Sequence, residues 1–201
     1  MAATQDTVPG LERLSSLETI TINQRVSSRN SNHYAVLSEE EVLFDLIEET
    51  HELGMFSGGN RRGFRMDGVD NTGKKLFWIR RPSMCLSDKV ELYMNDALVS
   101  VVRMKPTSLT PVFSINDAED CPHLKLKGKF CTNASSYQLK TITKTIVGSV
   151  EKKNRGWRNE MLSRNDDYVI TFPADLALHF KLAIVATTVI IDFRFHEQRR
   201  G

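Results

Sequence analysis

The chain has 201 residues, 40% of them hydrophobic, which is enough to bury one substantial core and points to one domain. A formal net charge of +2 is nearly balanced and gives no footprint for nucleic acid. Cys85, Cys121 and Cys131 are odd in number and unrelated in spacing, which argues against a disulfide framework or a zinc site and suits a reducing, cytosol-facing setting.

Residues 1–10 read as a short disordered tail with neither the basic nor the apolar region of a signal peptide. Val8-Pro9-Gly10-Leu11 forms an opening turn, and Leu11, Leu14 and Leu17 recur at helical spacing. The pattern then becomes β. Thr19–Asn23, Tyr34–Leu37 and Val42–Ile47 alternate. Gly58 to Gly63 is a loop whose glycines lack the Lys-Ser/Thr of a phosphate-binding loop.

A hairpin follows, Phe64–Asp67 and Lys75–Arg80 around Asp70-Asn71-Thr72-Gly73. The same grammar repeats in Lys89–Met94 with Leu98–Met104, in Pro111–Ile115 with His123–Gly128, and in Tyr137–Ile142 with Ile146–Val150. The sequon Asn133-Ala134-Ser135 reads as a turn. The last strand runs from Asp166 to Pro173, for about twelve strands in all, and Asp175 is placed to cap the helix that follows.

That helix, about 175–192, is apolar on every side, through Leu182, Ile184, Val185, Val189, Ile190 and Ile191. Its uncharged run, Leu182 to Ile191, is ten residues long, against roughly 20 for a membrane span, and length therefore favours a buried core helix. A closed antiparallel barrel of about twelve strands leaves a lumen that strand side chains alone do not fill, and a central hydrophobic helix would fill it. The predicted fold is mainly β: one domain over residues 11–198, a closed barrel around a buried C-terminal helix.

No catalytic set emerges. His33, His51, His123, His179 and His196 have no metal spacing, no G-x-S-x-G elbow occurs, and the carboxylates Asp166 and Asp167 lack a partner acid or base. The densest basic patch is Lys152, Lys153, Arg155 and Arg158 around Trp157, a composition suited to an acidic lipid surface or to a solvated turn.

Several further pieces stand out: Pro9-Gly10-Leu11, the Asp70–Gly73 hairpin, Arg80-Arg81-Pro82-Ser83-Met84-Cys85, Gly148, Trp157, Ile170 to Leu176 and Ile190 to Phe195. In order and spacing over nearly the whole chain they resemble the phospholipid scramblase family. The resemblance implies a tubby-like barrel around a helix. It also implies calcium-activated, ATP-independent, bidirectional movement of phospholipids at the cytoplasmic face of the plasma membrane, with part of the protein cytosolic or nuclear. Phospholipids and the membrane are the partners implied. Because one short helix offers no polar path, self-association is one route to such activity, and refolding or bilayer deformation are others.

Three departures bear on the transfer. The family's calcium segment aligns with Arg164 to Asp175, where only Asp166 and Asp175 keep ligand register and Arg164 and Val169 replace the first ligand and the glycine. Cys85 stands alone where relatives carry a palmitoylated cysteine cluster, and a single acyl chain anchors weakly. The proline-rich N-terminal arm is missing. The alternative these departures favour is a soluble tubby-like lipid-binding or regulatory module that does not scramble.

Overall fold

The computed structural model describes residues 11–25, 32–49, 63–82, 89–105, 110–128, 135–153 and 167–195. A short helix, α1 (Glu12–Ser16), leads into β1 (Thr19–Arg25), β2 (His33–Ser38), β3 (Glu41–Glu48), β4 (Phe64–Val69), β5 (Lys75–Arg81) and β6 (Lys89–Met94). There follow β7 (Ala97–Met104), β8 (Val112–Asn116), β9 (Pro122–Gly128), β10 (Ser136–Thr141), β11 (Ile146–Lys153), β12 (Asp167–Thr171) and α2 (Leu178–Phe195).

Each strand pairs antiparallel with the next, and β12 returns to β1 in the register Thr19↔Thr171 and Ile22↔Tyr168, which closes a twelve-stranded barrel. Closure leaves no unpaired edge. Inward positions follow the period of two: Ile20 and Ile22, Phe44 and Leu46, Phe113 and Ile115 are all at most 1% exposed. Phe44 meets Phe77 edge-on at 5.2 Å, an arrangement that the ring quadrupoles favour.

The lumen is filled by α2, buried continuously from Lys181 to Phe193. A helix with its side chains is about 10 Å across, a size that suits the interior of a barrel this wide. The helix begins at Leu178 rather than 175. Pro173 and Leu176 close a turn first (Leu176 N–H to Pro173 O, 3.1 Å), so Asp175 lies three residues ahead of the helix and is exposed instead of capping it.

Strand order gives the barrel two unlike ends. The connections β2–β3, β4–β5, β6–β7, β8–β9 and β10–β11 are tight hairpins at one end, here the turn end. Each carries a register shift in its strand pair and a residue of positive φ: Glu39, Gly73, Asn95 with Asp96, Asp120 and Lys144. A bulge with a left-handed residue tightens the twist and turns the chain back in few residues. In the β4–β5 turn Asp70 Oδ1 accepts from Thr72 N–H (2.9 Å), Thr72 Oγ1–H (2.6 Å) and Lys74 N–H (3.0 Å), as an Asx turn should. The strand ends joined by the remaining interstrand connections are at the far end, and most residues of those connections lie outside the described ones.

Candidate functional site

Chain direction places the start of α2 at the turn end and its finish at the far end, and each end of the helix is held by one buried charge. Lys181 is 0% exposed, and its ammonium donates to the carbonyls of Leu14 (3.2 Å), Ser15 (2.6 Å), Leu17 (2.8 Å) and Ala174 (2.8 Å). Three of those carbonyls belong to the C-terminal end of α1, where unpaired acceptors and the negative end of the helix dipole attract a cation. The Phe172 ring lies 5.0 Å from Nζ. Burial pushes the Lys181 pKa down, and the carboxylates of Asp175 and Glu18 oppose that shift. Lys181 therefore ties α1 across the turn end as a cover, with Leu11 and Leu14 each 1% exposed beneath it.

At the far end Asp192 is 2% exposed and accepts from the hydroxyls of Tyr34 and Tyr168, both at 2.9 Å. Gln24, Glu48, Arg81 and Asp167 are also buried at this mouth. Glu48 accepts from the Asn32 backbone N–H (3.0 Å) and Nδ2 (2.9 Å), and Asp167 from Asn23 Nδ2 (2.7 Å). The Arg81 guanidinium lies 5.4 Å from the Phe193 ring. Burial, with Arg81 nearby, pushes the Arg194 pKa down.

The sequence-derived site residues divide as follows. Leu182, Ile184, Val185, Val189, Ile190 and Ile191 are all within 2% of complete burial, inside the barrel. Lys152 turns toward the far mouth, its Nζ 5.9 Å from the centroid of the Tyr168 ring, while its neighbour Lys153 is exposed. Arg155, Trp157, Arg158, Cys85 and Asp166 lie outside the described residues.

The described part of the segment aligned with the family's calcium loop begins as a strand and not as an ion-wrapping loop. Residues 167–171 form β12, paired to β1 on one edge and β11 on the other, so their carbonyls serve the two ladders. Tyr168 and Ile170, at the fifth and seventh loop positions, face inward and are at most 1% exposed. Five strand residues span roughly 16 Å, whereas calcium ligands sit about 2.3–2.6 Å from the ion. Among the described residues no group of three or more His, Cys, Asp or Glu could hold a metal.

Lys181 and the Asp192–Tyr34–Tyr168 cluster escaped the sequence reading. One signal was present: the lysine stands in the first turn of the helix and the aspartate in the last, the reverse of what its own dipole favours, so partners elsewhere in the fold are required.

Fold and polar anchors together define a closed up-and-down barrel built around its own hydrophobic C-terminal helix. The Scramblase family model matches residues 1–198, and the chain belongs to that family. It is 27% identical to human phospholipid scramblase family member 5, over 94% of this chain and 78% of that protein. It is 24% identical to bovine phospholipid scramblase 2, over 96% and 73%. With rat phospholipid scramblase 1 the figures are 24%, over 96% and 64%. No solved structure matches the chain.

Proposed function

We propose that this chain is a phospholipid scramblase that moves lipids in both directions between leaflets, without ATP, from the cytoplasmic face of the plasma membrane. The observation that carries the reading is the extent of the family match, which takes in the whole barrel and its helix together. No described helix is long and apolar enough to cross a membrane. With α2 enclosed, lipid movement would come from perturbing the bilayer at its surface or from assembly of several copies, not from a lone spanning helix. No step is assigned to calcium.

The test is a proteoliposome assay with fluorescent phospholipid and dithionite. Bleaching that reaches the inner leaflet, equal with calcium and with chelator, is the expected result. Bleaching confined to the outer leaflet overturns it. That outcome would favour a lipid-binding module, a second reading supported by the buried anchors at both ends of α2.

A further inference from the structure

Among the described residues three large hydrophobic side chains are exposed, and two of them, Ile142 (43%) and Ile146 (56%), flank the tip of the β10–β11 hairpin. The tip is ordered: Thr141 N–H donates to Thr145 O (2.9 Å), Lys144 N–H to Thr141 O (3.0 Å) and Thr145 N–H to Thr141 Oγ1 (3.2 Å). Two isoleucines are therefore held out at the turn end on a preorganised turn.

The strands on one flank of them, β9 and β10, are basic, while the neighbouring β8–β9 tip carries Asp117, Glu119 and Asp120. Register sets Lys125 beside Lys140 and Lys140 beside Ile146 across three strands. Lys127 lies on the same outer face but toward the far end of β9, and Lys144 is at the tip. Among the described residues none of these four lysines is ion-paired, whereas elsewhere on the wall Lys75 meets Asp67 (2.7 Å) and Lys89 meets Glu91 (2.8 Å). Exposed β-branched side chains with unneutralised lysines along one flank match a lipid interface carrying negative charge. A symmetric contact with a second copy would set the lysines against themselves.

We propose that this hairpin docks the chain on an anionic lipid surface, with Ile142 and Ile146 entering among the acyl chains and Lys125, Lys140 and Lys144 meeting headgroup phosphates. The proposal rests on the reading of the chain as a lipid-acting protein, and it puts the membrane against the β9–β11 side of the turn end, away from the acidic tips of the other hairpins. Lys152 and Lys153 stand at the opposite end of β11.

The experiment is sedimentation of the purified full chain with phosphatidylcholine vesicles and with vesicles of equal phosphatidylcholine and phosphatidylserine. Wild type binds the anionic vesicles more strongly, and Ile142→Ser with Ile146→Ser lowers partitioning about tenfold without changing the thermal midpoint, since both sites are exposed. Lysine-to-glutamine changes at Lys125, Lys140 and Lys144 each cost about fivefold or less. Lys152→Gln with Lys153→Gln leaves binding near wild type. An environment-sensitive fluorophore on Ile142→Cys shifts to the blue with anionic vesicles only.

The proposal is overturned by unchanged binding of the double serine variant, by loss confined to the Lys152/Lys153 variant, or by no binding of wild type to either vesicle. It is also overturned by a concentration-dependent dimer that the serine variant abolishes while vesicle binding persists. Failure of scrambling in dithionite assays, with docking intact, would instead remove the proposed function and leave the docking face standing.

Discussion

Lys181 and Asp192 lie eleven residues apart on α2, about three turns, so they share a face of the helix and stand roughly 16 Å apart along it. Both are buried, one against α1 carbonyls and the other against two tyrosine hydroxyls. Because the lysine is near the positive end of the helix dipole and the aspartate near the negative end, neither is supported by the helix that carries it. The barrel supplies that support, so register and depth of the helix are fixed by polar contacts within an otherwise sliding apolar fit. Leu, Ile and Val side chains alone would tolerate a shift of one turn far better than these two charges do.

Replacing Lys181 by methionine keeps most of the volume but strips carbonyls at the end of α1 of their donor. The expected cost is about 3 kcal/mol, with α1 released first. Urea unfolding would measure the loss, and limited proteolysis before Thr19 would show whether α1 frees ahead of the barrel. A midpoint equal to wild type would refute the assignment.

Tyr34→Phe and Tyr168→Phe each remove one donor to Asp192 and are expected to cost about 1.5–3 kcal/mol, the range for a hydrogen bond to a charged group. The double variant should fall further than the sum, because the buried carboxylate then loses both tyrosine donors at once. A double-mutant cycle in denaturant reads this coupling directly; strict additivity would mean that the two hydroxyls act independently.

Gly148 is explained by backbone crowding. A Cβ there would sit 2.1 Å from the Thr171 carbonyl oxygen, on the neighbouring strand of the ladder that carries the chain toward α2. Gly148→Ala must push β11 and β12 apart, at an expected cost of about 1–3 kcal/mol or more. By contrast Gly73 has φ +83° and open space around it, so Gly73→Ala is strained by conformation alone and should cost about 1 kcal/mol. Thermal melts of the two variants would rank them.

The barrel was legible in the sequence because both of its signals are local. Alternation marked the strands and Asn/Asp/Gly turns marked the hairpins, so all twelve strands fell where the pattern put them. The helix was legible as a buried rod from its ten-residue apolar run, although its start was set three residues early because the turn closed by Pro173 resembles a cap in sequence. What holds that rod was not legible. Lys181 reaches carbonyls more than 160 positions away, and Tyr34 lies 158 positions from Asp192, separations that no local pattern encodes. By pattern Ile142 and Ile146 are the tail and head of two strands, and nothing local in the sequence marks that both escape burial.

His179 gives the turn end a pH response. Burial lowers its pKa from the ordinary 6.5, with His123 adding to the shift and Asp117 opposing it. The unfolded chain then binds the proton more readily than the folded one, so stability falls as pH drops through 6.5 and levels off below the folded value. Thermal midpoints measured from neutral to mildly acidic pH should decline, and His179→Gln should flatten part of the slope. Asp117, whose own pKa is held down mainly by its hydrogen bond with His123, contributes stability that is lost only at more acidic pH, which keeps the two effects separable.

Thr187 and Thr188 offer the sharpest check on whether the helix stays housed. Both are 0% exposed at the middle of α2, and their hydroxyls donate to Ala183 O (2.7 Å) and Ile184 O (2.9 Å), so neither side chain leaves an unpaired group in the core. Cysteine at either position is close in size to the threonine it replaces. In solution, with Cys85, Cys121 and Cys131 changed to serine, a maleimide should label these cysteines only at the rate of global unfolding. On anionic vesicles the same protection is expected if the protein acts from the surface with its barrel closed. Rapid labelling on vesicles but not in solution would mean that α2 leaves the barrel at the membrane, and the polar anchors at Lys181 and Asp192 would then be the contacts broken to let it go.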